Sequence, residues 1–222
     1  MKKAVKWIIA FLTAIGITTG LCNDTGLCGT STYGYELPED SYFTVKFLDV
    51  GEGDASLIVC DDHAMLIDGG ESSKSQYIYT ILKEEGIDHL DYIVSTHPDA
   101  DHIGGLSAAM SFASVDVALG TGESKETRAY SSFVKKLDEQ GIELTVPDSG
   151  DTFSLGSASV IVLGPEKNKI YSDNTSIVLR ICYGETSFLF TGDCEKEDEE
   201  YLIKSGYESQ FTGMVKFTAF LI

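Results

Sequence analysis

The chain has 222 residues, 43% of them hydrophobic, and 35 acidic against 16 basic side chains, for a formal net charge of −19. That length accommodates one sizeable domain, and that apolar share supports a packed core, which excludes wholesale disorder. The charge excludes the basic stripe that duplex nucleic acid requires, so a polyanionic substrate would have to be met by a bound cation. The acidity equally suits the solubility of an exported protein.

Lys2, Lys3 and Lys6 precede the uncharged run IIAFLTAIGI, and the polar, small-residue stretch TTGLCND follows. This is the order of a bacterial secretory signal, so residues 1–21 read as a signal peptide or, if uncleaved, an N-terminal membrane anchor. The apolar run falls short of the roughly 20 residues of a spanning helix. A secreted or extracytoplasmic bacterial location is expected, with membrane contact only through this segment. Residues 22–41, rich in Gly, Thr, Ser and Asp, read as a flexible linker in which Cys22 and Cys28 could bridge. Cys60, Cys182 and Cys194 sit in or beside apolar runs and read as small buried hydrophobes.

From Tyr42 the pattern changes to short apolar bursts. YFTVKFLDV and ASLIV predict two strands around the turn GEGD, and AMLIDGG a third strand ending in Asp68. SQYIYTILKEEG has helical spacing and stops at Gly86. DYIVST is the next strand, and a helix is expected from about Gly104. VDVAL, the helix TRAYSSFVKKLDEQG and IELTV continue the alternation. TFSL, SVIVL, TSIVLRICYG and SFLFTGD follow as strands, and EKEDEEYLIKSG as an acidic helix. Such an order implies two packed sheets with helices outside. Residues 207–222 show no clear period and read as an atypical C-terminal tail.

The stretch STHPDADHIGG, residues 95–105, places His97, Asp99, Asp101 and His102 directly behind a buried strand. Alternate residues of an extended loop point the same way, so His97, Asp99 and one of the Asp101–His102 pair can face one cation, and the other member a second. Imidazole and carboxylate suit Zn²⁺, Mn²⁺ or Fe. An Asx cap on the following helix accounts for one aspartate, not for all four groups. His63 and His89 read as solvent-exposed bystanders in turns.

The pattern H-x-D-x-D-H before Gly-Gly resembles the H-x-H-x-D-H signature of the metallo-β-lactamase fold, with Asp99 where most members carry histidine. LIDGG, with Asp68, and FLFTGD, with Asp193, match the aspartate-bearing strand ends on either side. FLDVGEGDASLIV and DNTSIVLRICYGETSFLFTGD resemble the ComEC-like branch, the extracytoplasmic hydrolase domain of competence proteins. The resemblance implies an α/β (α+β) αββα four-layer sandwich over residues 42–206, C-terminally truncated. It implies one or two divalent metal ions (Zn or Mn, with Mg also open) held by His97, Asp99, Asp101, His102 and Asp193. Asp99 and Asp101 are then the catalytic candidates. Asp68 is expected to orient a ligand histidine. Asp54, Asn174 and Ser176 are candidates for substrate or supporting contacts, with simple turn roles equally open.

The implied activity is hydrolysis of phosphodiesters (DNA or nucleotides) by metal-activated water, the cation offsetting the substrate's charge. The chain departs from the family in carrying no histidine after His102, where the family has an HHGS-like segment. That keeps a second class open, a non-catalytic or weakly active remnant binding at most one metal. β-Lactamase-type amide hydrolysis is a third, weaker alternative, which Asp99 and the ComEC-like flanks oppose.

Overall fold

The computed structural model describes residues 37–166 and 175–205, together with the backbone of 214–215. The signal segment, most of the linker, Asn174 and most of the tail lie outside the described residues.

Two sheets are built. The first has the order β1–β2–β3–β4–β5–β6, from β1 (Phe43–Phe47), β2 (Ser56–Cys60), β3 (His63–Ile67), β4 (His89–Val94), β5 (Ser114–Leu119) and β6 (Leu144–Thr145). β1, β2 and β3 pair antiparallel, while β3 to β6 run parallel. The second has the order β11–β10–β9–β8–β7, from β7 (Thr152–Leu155), β8 (Ala158–Gly164), β9 (Val178–Tyr183), β10 (Thr186–Phe190) and β11 (Met214–Val215). β7 to β10 are antiparallel, and β11 joins β10 in parallel. The expected strand IELTV shrinks to the two residues of β6, and part of the tail without clear period forms β11.

The helices are α1 (Ser75–Glu84), α2 (Ala100–Ile103), α3 (Leu106–Phe112), α4 (Arg128–Gln140) and α5 (Lys196–Lys204), with a 3-10 turn at Ser72–Lys74 before α1. Helix α4 shows why such segments form and stop. The Thr127 hydroxyl accepts from the Tyr130 N–H at 3.1 Å, Gly141 ends the helix at φ 69°, and Ala129, Phe133 and Leu137 form its buried stripe. Phe133 joins Ile78, Leu82, Leu106 and Leu90 in a core between helices and first sheet. A second core, between the sheets, includes Ile58, Met65, Tyr92, Val160 and Leu179. The result is a mixed α/β, two-sheet αββα fold.

Cys60 and Cys182 are buried, and Cys194 is half-buried. His63 and His89 do not lie in turns: they open β3 and β4, with side chains about half exposed. Asp61, between β2 and β3, accepts from the Ser157 N–H (2.8 Å) and hydroxyl (2.6 Å) and from the Tyr42 N–H (3.1 Å). This joins the β2–β3 turn of the first sheet to the β7–β8 turn of the second. Among the described residues no helix is long and apolar enough to cross a membrane.

Candidate metal centre

The C-terminal ends of β3, β4 and β10 meet at one end of the sandwich, where loops can bring side chains together. β3 ends at Ile67, so Asp68 is the first residue past it. It is fully buried and adopts a left-handed backbone, φ 55°. Its N–H donates to the Val94 carbonyl at 2.9 Å, which docks it beside the end of β4. Its carboxylate accepts the Thr96 N–H (2.9 Å), the Thr96 hydroxyl (2.6 Å) and His102 Nδ1–H (3.0 Å). A buried carboxylate with three donors is compensated in place.

These bonds determine which ring nitrogen of each histidine faces outward. Thr96 has one hydroxyl proton and gives it to Asp68, so its oxygen accepts from His97 Nδ1 at 3.1 Å. His97 and His102 therefore both carry a proton on Nδ1 and direct Nε2 into the site. Both rings are buried, with centroids 4.1 Å apart. Asp193, after β10, answers from the second sheet. Its Oδ1 lies 3.3 Å from His102 Nε2 and its Oδ2 3.7 Å from His97 Nε2. One ligand atom from each of His97, His102 and Asp193 falls within 4.8 Å of the others.

Asp193 is held there by Ser176, whose hydroxyl oxygen accepts the Asp193 N–H at 3.1 Å. Gly192 makes the approach feasible. At φ 49°, a Cβ there would lie 2.7 Å from Thr96 Oγ1 and 2.9 Å from Ser176 Oγ.

Asp99 and Asp101 stand outside this trio. Asp101 Oδ2 is 3.8 Å from His102 Nε2, and Asp99 Oδ1 is 4.0 Å from His97 Nε2. Asp99 is instead ion-paired with Lys125. The chain also turns helical at Ala100, ahead of the expected start near Gly104, so helical geometry, not extended alternation, separates half-buried Asp101 from buried His102. Asp54 lies close enough to sense the centre. Burial raises its carboxyl pKa, and the charges of Asp68, Asp193 and Asp101 add to this against the opposing pull of His102, giving about 6.

Electrostatics divides the two rings. Burial lowers the pKa of His97, and the neighbouring His102 lowers it further. Burial also lowers that of His102, but hydrogen bonding and charge from Asp193 and Asp68 outweigh it and push His102 up to about 11. The His102 hydrogen bond in turn lowers the pKa of Asp193. Without an ion, a proton on His102 serves as the cation between two carboxylates. Two buried imidazole Nε2 atoms, a carboxylate at strand-end distance and a fixed supporting layer suit a divalent ion.

Sequence reasoning missed Thr96 and Lys125. Lys125 falls in the loop beyond the C-terminal end of parallel strand β5, the edge where ligands collect in such sheets, and that position was its only signal.

Among curated proteins, the chain is 29% identical over 177 residues to ComE operon protein 3 of Bacillus subtilis, covering 70% of this chain and 23% of that protein. It is 26% identical over 179 residues to Competence protein ComA of Neisseria gonorrhoeae, covering 80% of this chain and 23% of that one. The chain thus spans about a quarter of the length of these relatives. Among solved structures, metallo-beta-lactamase SMB-1 bound to 2-mercaptoethanesulfonate superposes with a TM-score of 0.48 at 19% identity, over 78% of this chain and 74% of that one. Residues 48–214 match the model of the metallo-beta-lactamase superfamily, a span that includes β2 to β10, Asp68, His97, His102 and Asp193. The chain belongs to the metallo-beta-lactamase superfamily.

Proposed function

We propose that the chain is an extracytoplasmic, metal-dependent phosphodiesterase whose ion is held by His97, His102 and Asp193. The convergence of these three groups within 4.8 Å carries the reading. A divalent ion bound there would supply Lewis acidity and lower the pKa of water. Asp68 and Thr96 keep both Nε2 lone pairs turned inward, and Ser176 keeps Asp193 in reach. Asp101 and Asp54 border the centre. Asp54, raised to about 6, can hold or release a proton near neutral pH. Lys125 supplies positive charge beside Asp99, suited to an anionic substrate. The likeness to competence proteins supports a nucleic-acid phosphodiester as substrate and export as the route.

A second reading, a single-ion binder of little or no activity, is favoured by one observation. Lys125 engages Asp99 and leaves one close trio at this end of the described residues. Zinc or manganese stoichiometry, measured with turnover of bis-p-nitrophenyl phosphate, separates the two. Turnover that His97→Ala and Asp193→Ala abolish supports the phosphodiesterase. Single occupancy without turnover supports the binder, and hydrolysis of a β-lactam alone would replace both. Mass spectrometry of protein secreted from a bacterial host tests export, which an intact Met1 in a cytosolic fraction would overturn.

A further inference from the structure

We propose a second divalent-cation site at the opposite end of the first sheet, held by His89, Asp91 and Asp116, of the class that accepts imidazole together with carboxylates, as Zn²⁺ does. His89 and Asp91 are alternate residues of β4 and project to the same side. The parallel register His89↔Ser114 and Tyr92↔Val117 brings Asp116 of β5 alongside them. One ligand atom from each of the three lies within 4.8 Å of the others. β4 separates this cluster from the main centre by roughly 17 Å, five residues of strand rise.

Two carboxylates at this spacing repel unless a cation lies between them. The surrounding bonds arrange the groups for one. Asp91 is fixed at both oxygens, Oδ1 by His63 Nδ1 at 2.6 Å and Oδ2 by the Ala64 N–H at 2.9 Å. Each oxygen keeps a lone pair. The Ser114 hydroxyl donates to the Asp88 carbonyl (3.4 Å) and so accepts from His89 Nδ1 (2.9 Å). His89 Nε2 is thereby turned toward Asp116 Oδ2 at 3.3 Å.

That separation is longer than a charge-assisted hydrogen bond, about 2.7–2.9 Å. It matches the edge of a zinc tetrahedron, where bonds of about 2.0–2.1 Å place two ligand atoms about 3.3 Å apart. Asp91 and Asp116, though not His89, also line a half-open pocket of about 220 Å³ together with His63 and with Ser154 and Gly156 of the second sheet. The pocket gives an ion an entry path and leaves room for water to complete its coordination. His63 takes the positioning role, orienting Asp91 as carboxylate-bound histidines orient ligands elsewhere.

Isothermal titration with Zn²⁺ on the full chain, paired with thermal melting, tests this. His97→Ala/His102→Ala should still bind one Zn²⁺ and melt higher with it. Adding His89→Ala and Asp116→Asn should weaken that binding at least tenfold and remove the melting shift. If the first variant does not fold, His89→Ala/Asp116→Asn in the parent chain should lower the zinc count by one and leave bis-p-nitrophenyl phosphate turnover unchanged. A folded His97→Ala/His102→Ala chain that binds no zinc would overturn the proposal. So would a zinc count and affinity that His89→Ala/Asp116→Asn does not alter, which would make the cluster two histidine–carboxylate ion pairs.

Discussion

Replacing Asp68 by Asn changes one oxygen to an NH₂ group at constant shape, yet it should reverse both site histidines. The Thr96 N–H can only donate, so the Asn carbonyl must occupy the Oδ1 position. The NH₂ then faces Thr96 Oγ1 and His102 Nδ1, at the places where Asp68 Oδ2 accepts at 2.6 and 3.0 Å. Both must become acceptors. Thr96 turns its proton to His97 Nδ1, 3.1 Å away, and both rings are left with their protons on Nε2, the nitrogens that face the site. Disturbing one orienting partner costs about 10–100-fold in metal affinity. Two rings governed by one carboxylate give about 10²–10⁴-fold, or roughly 3–5 kcal/mol. Stability should fall less, by about 1–3 kcal/mol, because every hydrogen-bonding position stays filled and only charge assistance is lost. Zinc affinity by competition with a chromophoric chelator measures the first, and denaturant unfolding the second. Thr96→Val, which removes the relay to His97, should fall between parent and Asp68→Asn. A folded Asp68→Asn chain with zinc affinity within about threefold of the parent refutes the relay.

Lys125→Ala removes the ammonium that competes for Asp99. Metal affinity should rise about fivefold, since partly exposed ion pairs contribute about 1 kcal/mol, while KM for an anionic phosphodiester increases; chelator competition and steady-state kinetics read the two effects. Gly192→Ala should cost about 2–4 kcal/mol in unfolding free energy, from the left-handed backbone and the approach to Thr96 and Ser176, and should weaken metal binding with it. The raised His102 pKa means that the ion-free folded chain keeps a proton the unfolded chain sheds near 6.5. Its stabilisation is complete below that pH and fades as pH climbs toward about 11. Metal binding at pH 7.5 should accordingly release about one proton per ion, read by calorimetry in buffers of different ionisation enthalpy; no release would contradict the His102 assignment.

Much of this was legible in the residues because strand patterning and strand ends are local. The buried runs LIDGG, DYIVST and FLFTGD announce both their strands and the polar residues past their ends. The positions of Asp68, His97, His102 and Asp193 at strand ends follow from that, while the roles expected of Asp68 and Asp193 come from the resemblance to the metallo-β-lactamase signature. What escaped depends on contacts between distant segments. Lys125 meets Asp99 across 26 residues, and no periodicity announces it. Thr96 looks like an ordinary strand-end residue until its hydroxyl is seen between Asp68 and His97. The early helical turn at Ala100 follows a proline-containing stretch, where an extended loop and a helix start read alike. His63 and His89 look like turn residues because each stands beside acidic positions, Asp62 and Asp88, that usually mark turns.

The bond from Asp61 to Ser157 gives the main centre a mechanical meaning. The two sheets resemble the covers of a book, with Asp61 stitching the spine and the loops of His97, His102 and Asp193 forming the fore-edge. An ion at the fore-edge is a clasp, because His97 and His102 belong to one cover and Asp193 to the other. Energy put into holding the ion is energy put into keeping the book shut. Removing the clasp would leave the spine intact, so the pages should part first at the proposed ion site, which then marks the fold's weakest margin.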